Sequence, residues 1–400
     1  MELRLKYRVV CRYEWYNNGE MVDYTEVFEN KAGASTKDEY LRYLEHTNEE
    51  EYRNVIEEME NEGLEIVFGY RPYLDNRDYS GLDLEVPKIN LSLPIISLSE
   101  TFAGLKARSL DLSKLDVYNV VETSNCFIGA ELDTIIGITK LNFSSLKTTC
   151  NMFKKVKLKE LNLDNLSLPN VEDYYEMFID AHIGRLSMNN LKVSCTNLHE
   201  IFTSLRGNEL YCNNWEITNT ESRTFDAGYI FRCNFEKVYF NYFKAGNNAS
   251  LGNMFNECEI EELHICNWSL DSVNTMYNMF AEYSYIGTIY FYCSGCTTGR
   301  ELYIGYSGHI NEIYIDIDMV RDTDLLGFKT IYTNRIDYYE RICNELEVLV
   351  EECEWKDDIP EVVLYDADTE VNRIINLFGA EVITGDIQRE KYGTILIVDK

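Results

Sequence analysis

Proline is scarce, at 5 of 400 residues, and histidine is as rare, also at 5. So little proline excludes collagen-like or mucin-like stalks and long proline-rich linkers, and the chain reads as compact. No stretch approaches the about 18 consecutive apolar residues of a membrane-spanning helix. The opening Met1-Glu-Leu-Arg-Leu-Lys-Tyr-Arg-Val-Val10 alternates charged and apolar residues and lacks the apolar core of about 7 to 15 residues that a signal peptide carries. These absences make a cytoplasmic location the expectation, with the 12 cysteines held reduced. Positive charge is also in deficit: 37 Lys and Arg face 68 Asp and Glu, a net charge of −31. An acidic skin repels nucleic-acid phosphates and anionic membranes, so neither is expected to bind directly, and a basic protein partner is. Hydrophobic residues at 45% and aromatics at 13% supply a core, which separates this acidity from that of a disordered chain.

Catalytic and cofactor signatures are missing as well. There is no G-x-x-x-x-G-K-[ST] and no G-x-G-x-x-G, so nucleotide binding has no warrant. Cys293-Ser-Gly-Cys296 is a lone C-x-x-C without the second pair or the histidines of a zinc site. Asp316, Asp318, Asp322 and Asp324 concentrate carboxylates but lack the glycine and terminal glutamate of an EF-hand. Gly305-Tyr-Ser307-Gly308 falls one residue short of a nucleophile elbow. His199-Glu200 has no second zincin histidine, and His264, between Leu263 and Ile265, alternates toward the surface. The reading is a non-enzyme with no cofactor and no metal.

What is present is a repeat. Phe102, Phe127, Phe153, Phe178, Phe202, Phe225, Phe255 and Phe280 recur at close to 25 residues, with an insertion placed around Gly228 to Asn234. Eight residues beyond most of them comes an apolar-x-apolar element: Leu110 and Leu112, Leu161 and Leu163, Leu186 and Met188, Leu210 and Cys212, Leu263 and Ile265. Period-two alternation so short reads as a strand. Apolar positions such as Val273, Met276, Met279 and Phe280 have helical spacing. One such unit cannot bury its own face, so units must stack into a right-handed solenoid of short parallel strands and short helices. Cys126, Cys150, Cys212, Cys258 and Cys266 fall inside the units as small core residues.

Cys266-Asn-Trp-Ser-Leu-Asp-Ser-Val-Asn-Thr-Met-Tyr-Asn-Met-Phe280 and Leu110-Asp-Leu-Ser-Lys-Leu-Asp-Val-Tyr-Asn-Val120 resemble the BspA-like leucine-rich repeats of the Mycoplasma-lipoprotein type. The resemblance implies an α/β leucine-rich-repeat-like solenoid over about 96–318 and a binding or adhesion module.

The flanks differ. Residues 1–95 read as an acidic α+β domain: alternating segments Leu3–Tyr16 and Met21–Phe28 around Asn17-Asn18-Gly19, a helical stretch from Thr36 with a capping box to Glu39, a break near Thr47-Asn48, a stop at Gly63 and a strand Leu64–Tyr70. Residues 319–400 read as a small acidic α/β or α+β cap with helices Tyr338–Cys353 and Thr369–Phe378 and strands Glu361–Tyr365, Ala380–Ile383 and Thr394–Val398. Residues 1–100 carry 11 basic and 22 acidic side chains, 101–310 carry 17 and 24, and 311–400 carry 9 and 22, so the flanks hold most of the charge. Lys154, Lys155, Lys157 and Lys159 form the one basic run, read as a solvated loop.

Tyrosine, at 30 residues, joins contact area to a polar tip and is enriched at interfaces. Alternation would place Tyr290, Tyr292, Tyr303 and Tyr314 on the outer sheet face. With Glu49, Glu50, Glu51, Glu57 and Glu58 in one flank and Glu351, Glu352, Asp357 and Asp358 in the other, they are the expected partner contacts. The expected partner is a protein with a basic, nucleic-acid-handling surface, which the chain would occupy as a phage or mobile-element anti-defence inhibitor does, anti-CRISPR proteins among them. A surface adhesin or lipoprotein-type module, and an enzyme in the C-terminal segment, are the alternatives.

Overall fold

The computed structural model describes residues 1–171, 174–193, 198–218, 226–245, 249–269, 273–276, 278–280, 283–291, 310–315, 328–333 and 361–364. The chain divides into two compact units, Met1–Glu160 with Ser167–Ala181, and Leu161–Leu166 with His182–Lys400.

The first unit opens with strands β1 (Lys6–Asn17) and β2 (Glu20–Tyr24), joined by the Asn18-Gly19 turn, where both residues take positive φ. After β3 (Phe28–Glu29) come helices α1 (Lys37–Thr47) and α2 (Glu49–Asn61), then β4 (Leu64–Tyr73). The capping box forms: Thr36 Oγ1 accepts from the Glu39 amide, while the Glu39 carboxylate accepts from the Ser35 amide at 2.9 Å. Asn48 caps α2, which splits the helical stretch where the sequence suggests. Helix α2 gives way at Glu62, and Gly63, at φ +71°, lies so close to the Tyr16 carbonyl that a Cβ would be 2.3 Å from its oxygen. β1 runs antiparallel to β4 from Lys6↔Tyr73 to Trp15↔Leu64. Its odd-numbered face, with Cys11, Tyr13 and Trp15, packs on Tyr40, Leu44 and Val55 of the helices.

Coils of a parallel-strand β-solenoid follow. β5 (Asp83–Glu85), β6 (Ser109–Asp111) and β8 (Thr134–Ile136) stack in register, and β7 (Glu131–Leu132) pairs with the start of β9 (Lys157–Asn162). Glu2 bridges Glu85, and the Leu3 amide donates to the Glu85 carbonyl, so the N-terminal residues supply partners for the first coil's strand. In the second unit β10 (His182–Ser187), β12 (Arg206–Tyr211), β14 (Asn234–Tyr239), β16 (Glu259–His264), β18 (Tyr285–Phe291), β19 (Ile310–Ile315), β20 (Phe328–Thr333) and β21 (Glu361–Leu364) are successive parallel neighbours. Shorter pairs, β11 (Lys192–Val193) with β13 (Glu216–Ile217) and β15 (Ala249–Ser250) with β17 (Val273–Thr275), form a further wall. The predicted strand at Glu361 is therefore a rung of the solenoid sheet; the other C-terminal elements expected from the sequence lie outside the described residues.

The expected short helices are replaced by tight turns. Around Phe102 the amides of Thr101, Ala103 and Leu105 bond back three residues, while those of Glu100, Phe102 and Gly104 donate to Ser124, Cys126 and Ile128 of the next coil at 3.2, 2.9 and 2.8 Å. Left-handed residues recur four apart, as Glu100 and Gly104, Asn125 and Gly129, Asn151 and Lys155. A helix admits no such residues and keeps its hydrogen bonds within the segment. The three-and-four apolar spacing arises here from inward-facing turn residues, and Val273–Thr275 is strand β17.

Phenylalanines line the interior. Phe102, Phe127, Phe153 and Phe178 stack with centroids 5.3, 5.2 and 5.2 Å apart, and Phe202, Phe231, Phe255 and Phe280 follow at 5.5, 4.8 and 5.4 Å. The interior position assigned from sequence to Phe225 thus belongs to Phe231, and the longer coil carries its extra residues before that ring; Phe225 itself lies outside the described residues. Leu110, Leu112, Leu161, Leu163, Leu263 and Ile265 are all buried, as expected of strand residues facing in.

Candidate functional site

The outer sheet face was the expected contact surface. Register aligns Tyr211, Tyr239, His264, Tyr290 and Tyr314, so the aromatic ladder exists. Parallel strands lie about 4.8 Å apart, close to the ring-stacking distance, and Tyr211–Tyr239, Tyr239–His264 and His264–Tyr290 stack at 4.7, 4.6 and 4.5 Å. Each ring covers the next. Tyr290 is 4% exposed and His264 2% exposed, which corrects the expectation that both face solvent, while Tyr239, with a ring on each face, is half-buried. Burial holds the His264 imidazole below its usual pKa, against the opposing pull of Glu262, 3.6 Å away. Tyr292 and Tyr303 lie outside the described residues, as does the side chain of Tyr314.

Many charges on the coils face partners one coil away. In the first unit Asp83 pairs with Arg108, Glu85 with Lys114, Glu131 with Lys106 and Lys157, Asp133 with Lys159 and Glu176 with Lys154. The basic run is thus not a free loop: three of its four lysines neutralise neighbouring coils, and the Lys157 hydrogen bond holds the Glu131 carboxyl below its usual pKa. In the second unit Glu209 pairs with Arg185, Glu216 with Lys192 and Lys244, Glu257 with Arg232 and Glu262 with Lys237. Exposed pairs contribute little stability, but each uses up a coil charge within the array.

On α2 the acids behave differently. Glu49 pairs with Arg53, Glu51 accepts from Asn48 Nδ2 at 2.8 Å, and Glu58 accepts from Trp15 Nε1 at 3.1 Å. Glu50 and Glu57 are exposed and make no ion pair among the described residues. Glu351, Glu352, Asp357 and Asp358 lie outside those residues.

In the second unit the corners where turns enter the sheet enclose an open groove of about 410 Å³. Arg206, Asn234, Glu259 and Tyr285 hold equivalent strand positions in four successive coils, and Arg232, Glu257 and Tyr283 line the groove beside them. Tyr283 is 80% exposed at φ +71°, and Tyr285 is 46% exposed. The sequence offered no signal for this pair beyond tyrosine abundance.

Among the described residues no grouping of three His, Cys, Asp or Glu could hold a metal ion, and no helix is long and apolar enough to cross a membrane. His199 contacts Glu200 at 3.8 Å and the Tyr229 ring edge-on. The carboxylates of 316–324, the C-x-x-C of 293–296 and Ser307 lie outside the described residues. Burial raises the Cys212 and Cys233 thiols, and pushes Cys258 up to about 12, which makes them poor nucleophiles and suits core positions.

A family model described as "Mycoplasma protein of unknown function, DUF285" matches residues 96–215 and 196–288. The match is consistent with a Mycoplasma-type repeat family, and it falls on the solenoid coils. Neither the curated proteins nor the solved structures contain a match. The chain is thus a repeat solenoid with a DUF285 region, an architecture compatible with protein binding.

Proposed function

We propose that this chain is a non-enzymatic protein-binding solenoid that holds a partner through the partner's basic surface. One observation carries the reading: many coil charges pair from coil to coil, and the exposed carboxylates left over, Glu50 and Glu57 on α2 with Asp116, Glu160 and Glu261 on the coils, make no ion pair among the described residues. Unpaired charge of one sign steers a partner of the other. In its sharper form the proposal makes the partner a nucleic-acid-handling protein in the cytoplasm, blocked as an anti-CRISPR-like inhibitor blocks its target. A second reading, a surface adhesin or lipoprotein-type module, draws on the resemblance of the repeats to the BspA-like type alone.

The test is binding of the full chain to purified basic nucleic-acid-binding domains, and to acidic domains of like size, at about 50 and about 500 mM salt. Added salt shortens the Debye length from above 10 Å to a few Å. Preference for basic domains that weakens with salt, and release of bound DNA from them, is the expected result. Equal binding of acidic and basic domains, or indifference to salt, overturns it. Binding of basic domains without DNA release removes the inhibitor form, and fractionation of the native cells to the surface favours the adhesin.

A further inference from the structure

We infer that the groove bounded by Glu257, Glu259, Tyr283 and Tyr285 is a docking site for an arginine side chain of a partner protein. The inference rests on the basic-partner reading above and names where and by what chemistry one contact is made.

The argument begins with how this chain handles its own guanidinium groups. Arg8 lies over the Tyr73 ring, 4.5 Å from its centroid, and pairs with Glu29 at 3.1 Å. Arg12 lies over Tyr24 at 5.0 Å and pairs with Glu14. Arg185 lies over Tyr211 at 5.0 Å and contacts Glu209 at 3.5 Å, while the Tyr211 hydroxyl donates to the same Glu209 at 3.1 Å. In each case one guanidinium meets a tyrosine face and a carboxylate together. That combination suits arginine, whose planar cation stacks on rings and donates in its plane.

At the groove, which Arg206 and Arg232 also line, tyrosine rings and carboxylates recur together with no guanidinium over the rings among the described residues. Tyr285 sits beside Glu259 in the strand register, as Tyr211 sits near Glu209. Glu257 and Tyr283 occupy the adjoining corner. Glu257 is tied to Arg232, and Glu259 accepts from Asn234 Nδ2, which fixes both carboxylates while leaving further acceptor capacity. No guanidinium lies over Tyr283 or Tyr285 among the described residues, and both rings are exposed. Tyr283 holds the left-handed turn position of its coil that Glu257 holds in the coil before. The groove, about 410 Å³ and open along one side, has room for a side chain entering from outside. A lysine would gain the carboxylates but not the planar stacking, so the site discriminates between the two cations.

The experiment uses the full chain and two fluorescein-labelled peptides, identical except that six arginines in one are six lysines in the other, titrated by anisotropy at about 50 mM salt. Wild type is expected to prefer the arginine peptide. Y283A/Y285A should weaken the arginine peptide about tenfold, the loss of two exposed cation–π contacts, with the lysine peptide changed by less than about twofold. Y283F/Y285F keeps both rings and should keep the preference. E50Q/E57Q on α2 should weaken both peptides alike. Absence of an arginine preference in the wild-type chain overturns the site without recourse to any variant. Unchanged arginine affinity in Y283A/Y285A overturns it too, and leaves the basic-partner reading standing. If neither peptide binds, both readings are overturned.

Discussion

Replacing Asn241 with alanine tests whether side-chain ladders hold the coils in register. Asn241 is fully buried. Its Nδ2 donates to Asn213 Oδ1 at 2.9 Å, its own amide donates to that same oxygen at 3.0 Å, and its Oδ1 accepts the Cys266 amide at 2.9 Å. Asn213 in turn donates its amide to Asn189 Oδ1 at 2.9 Å, and Asn189 to Asp164 Oδ1 at 2.7 Å, so four coils are threaded on one polar column. Alanine deletes two side-chain hydrogen bonds at about 1 kcal/mol net each and removes an acceptor from a buried amide at about 1–3 kcal/mol, for a total of about 3–5 kcal/mol. Because repeat arrays lose two-state behaviour and coils couple to their neighbours, a single melting temperature would dilute the effect. Native-state hydrogen exchange over residues 239–243 and 264–268 reads it locally: opening should become at least about a hundredfold more frequent, since about 1.4 kcal/mol is a factor of ten. N241D keeps the acceptor for Cys266 but sets a carboxylate oxygen against Asn213 Oδ1, so it should fail as well. Lys192→Ala, which removes an exposed 3.1 Å pair to Glu216, is the control at about 0–1 kcal/mol. If N241A protects its coils within about 0.5 kcal/mol of that control, the column is ornament and register is set by apolar packing alone.

Gly207→Ala should abolish soluble expression or cost more than about 2 kcal/mol, because its Cβ would lie 1.9 Å from the Ile183 carbonyl oxygen; Gly81→Ala, with nothing within 4 Å, should cost about 1 kcal/mol through its positive φ alone, and urea titration separates them. Cys126, Cys212, Cys233 and Cys258, buried and raised in pKa, should resist iodoacetamide at pH 8 until the chain unfolds, as mass spectrometry of alkylated peptides will report; labelling of any of them in the native chain contradicts their core placement. Glu122 is buried, accepts from Ser97 Oγ at 2.7 Å and has its pKa raised, chiefly by desolvation. A carboxyl raised in the folded state binds more protons there than when unfolded, so stability falls as pH rises from the unfolded value through the folded one. Glu122→Gln should flatten that fall in stability measured by denaturant at successive pH values; an unchanged slope assigns it to other groups.

The solenoid was legible because its signal is repeated: phenylalanines near every 25 residues and buried pairs such as Leu110 and Leu112 or Leu263 and Ile265 recur too regularly for chance. The turns were not legible, because inward-facing residues such as Leu98, Thr101, Phe102 and Leu105 reproduce the spacing of a helical face. The clue lay in asparagine. Asn125, Asn151 and Asn253 occupy left-handed turn positions, and Asn165, Asn190, Asn214 and Asn267 the left-handed corner after β9, β10, β12 and β16; asparagine tolerates that conformation at low cost. Phe225 and Phe231 compete for one interior position, and six residues of offset in a coil lengthened by insertion leave no local pattern to choose between them; stacking with Phe202 and Phe255 decides it.

For the site, alternation correctly put Tyr290 and His264 on the outer side of the sheet and misjudged what that side exposes. A strand face is open when its side chains differ in size and point apart. When successive coils place rings at the same register, the strand spacing brings their faces into contact, so a row of aromatics covers its own faces and offers a partner only their edges. Charge follows the same logic, since a lysine or glutamate one coil from its opposite is consumed by register, as Lys159 is by Asp133. The residues left outside such columns are those that break them: Tyr285 follows Arg206, Asn234 and Glu259 at one register position, with no ring before it to stack on. On the docking proposal, departure from the repeat, more than residue type, marks the contact.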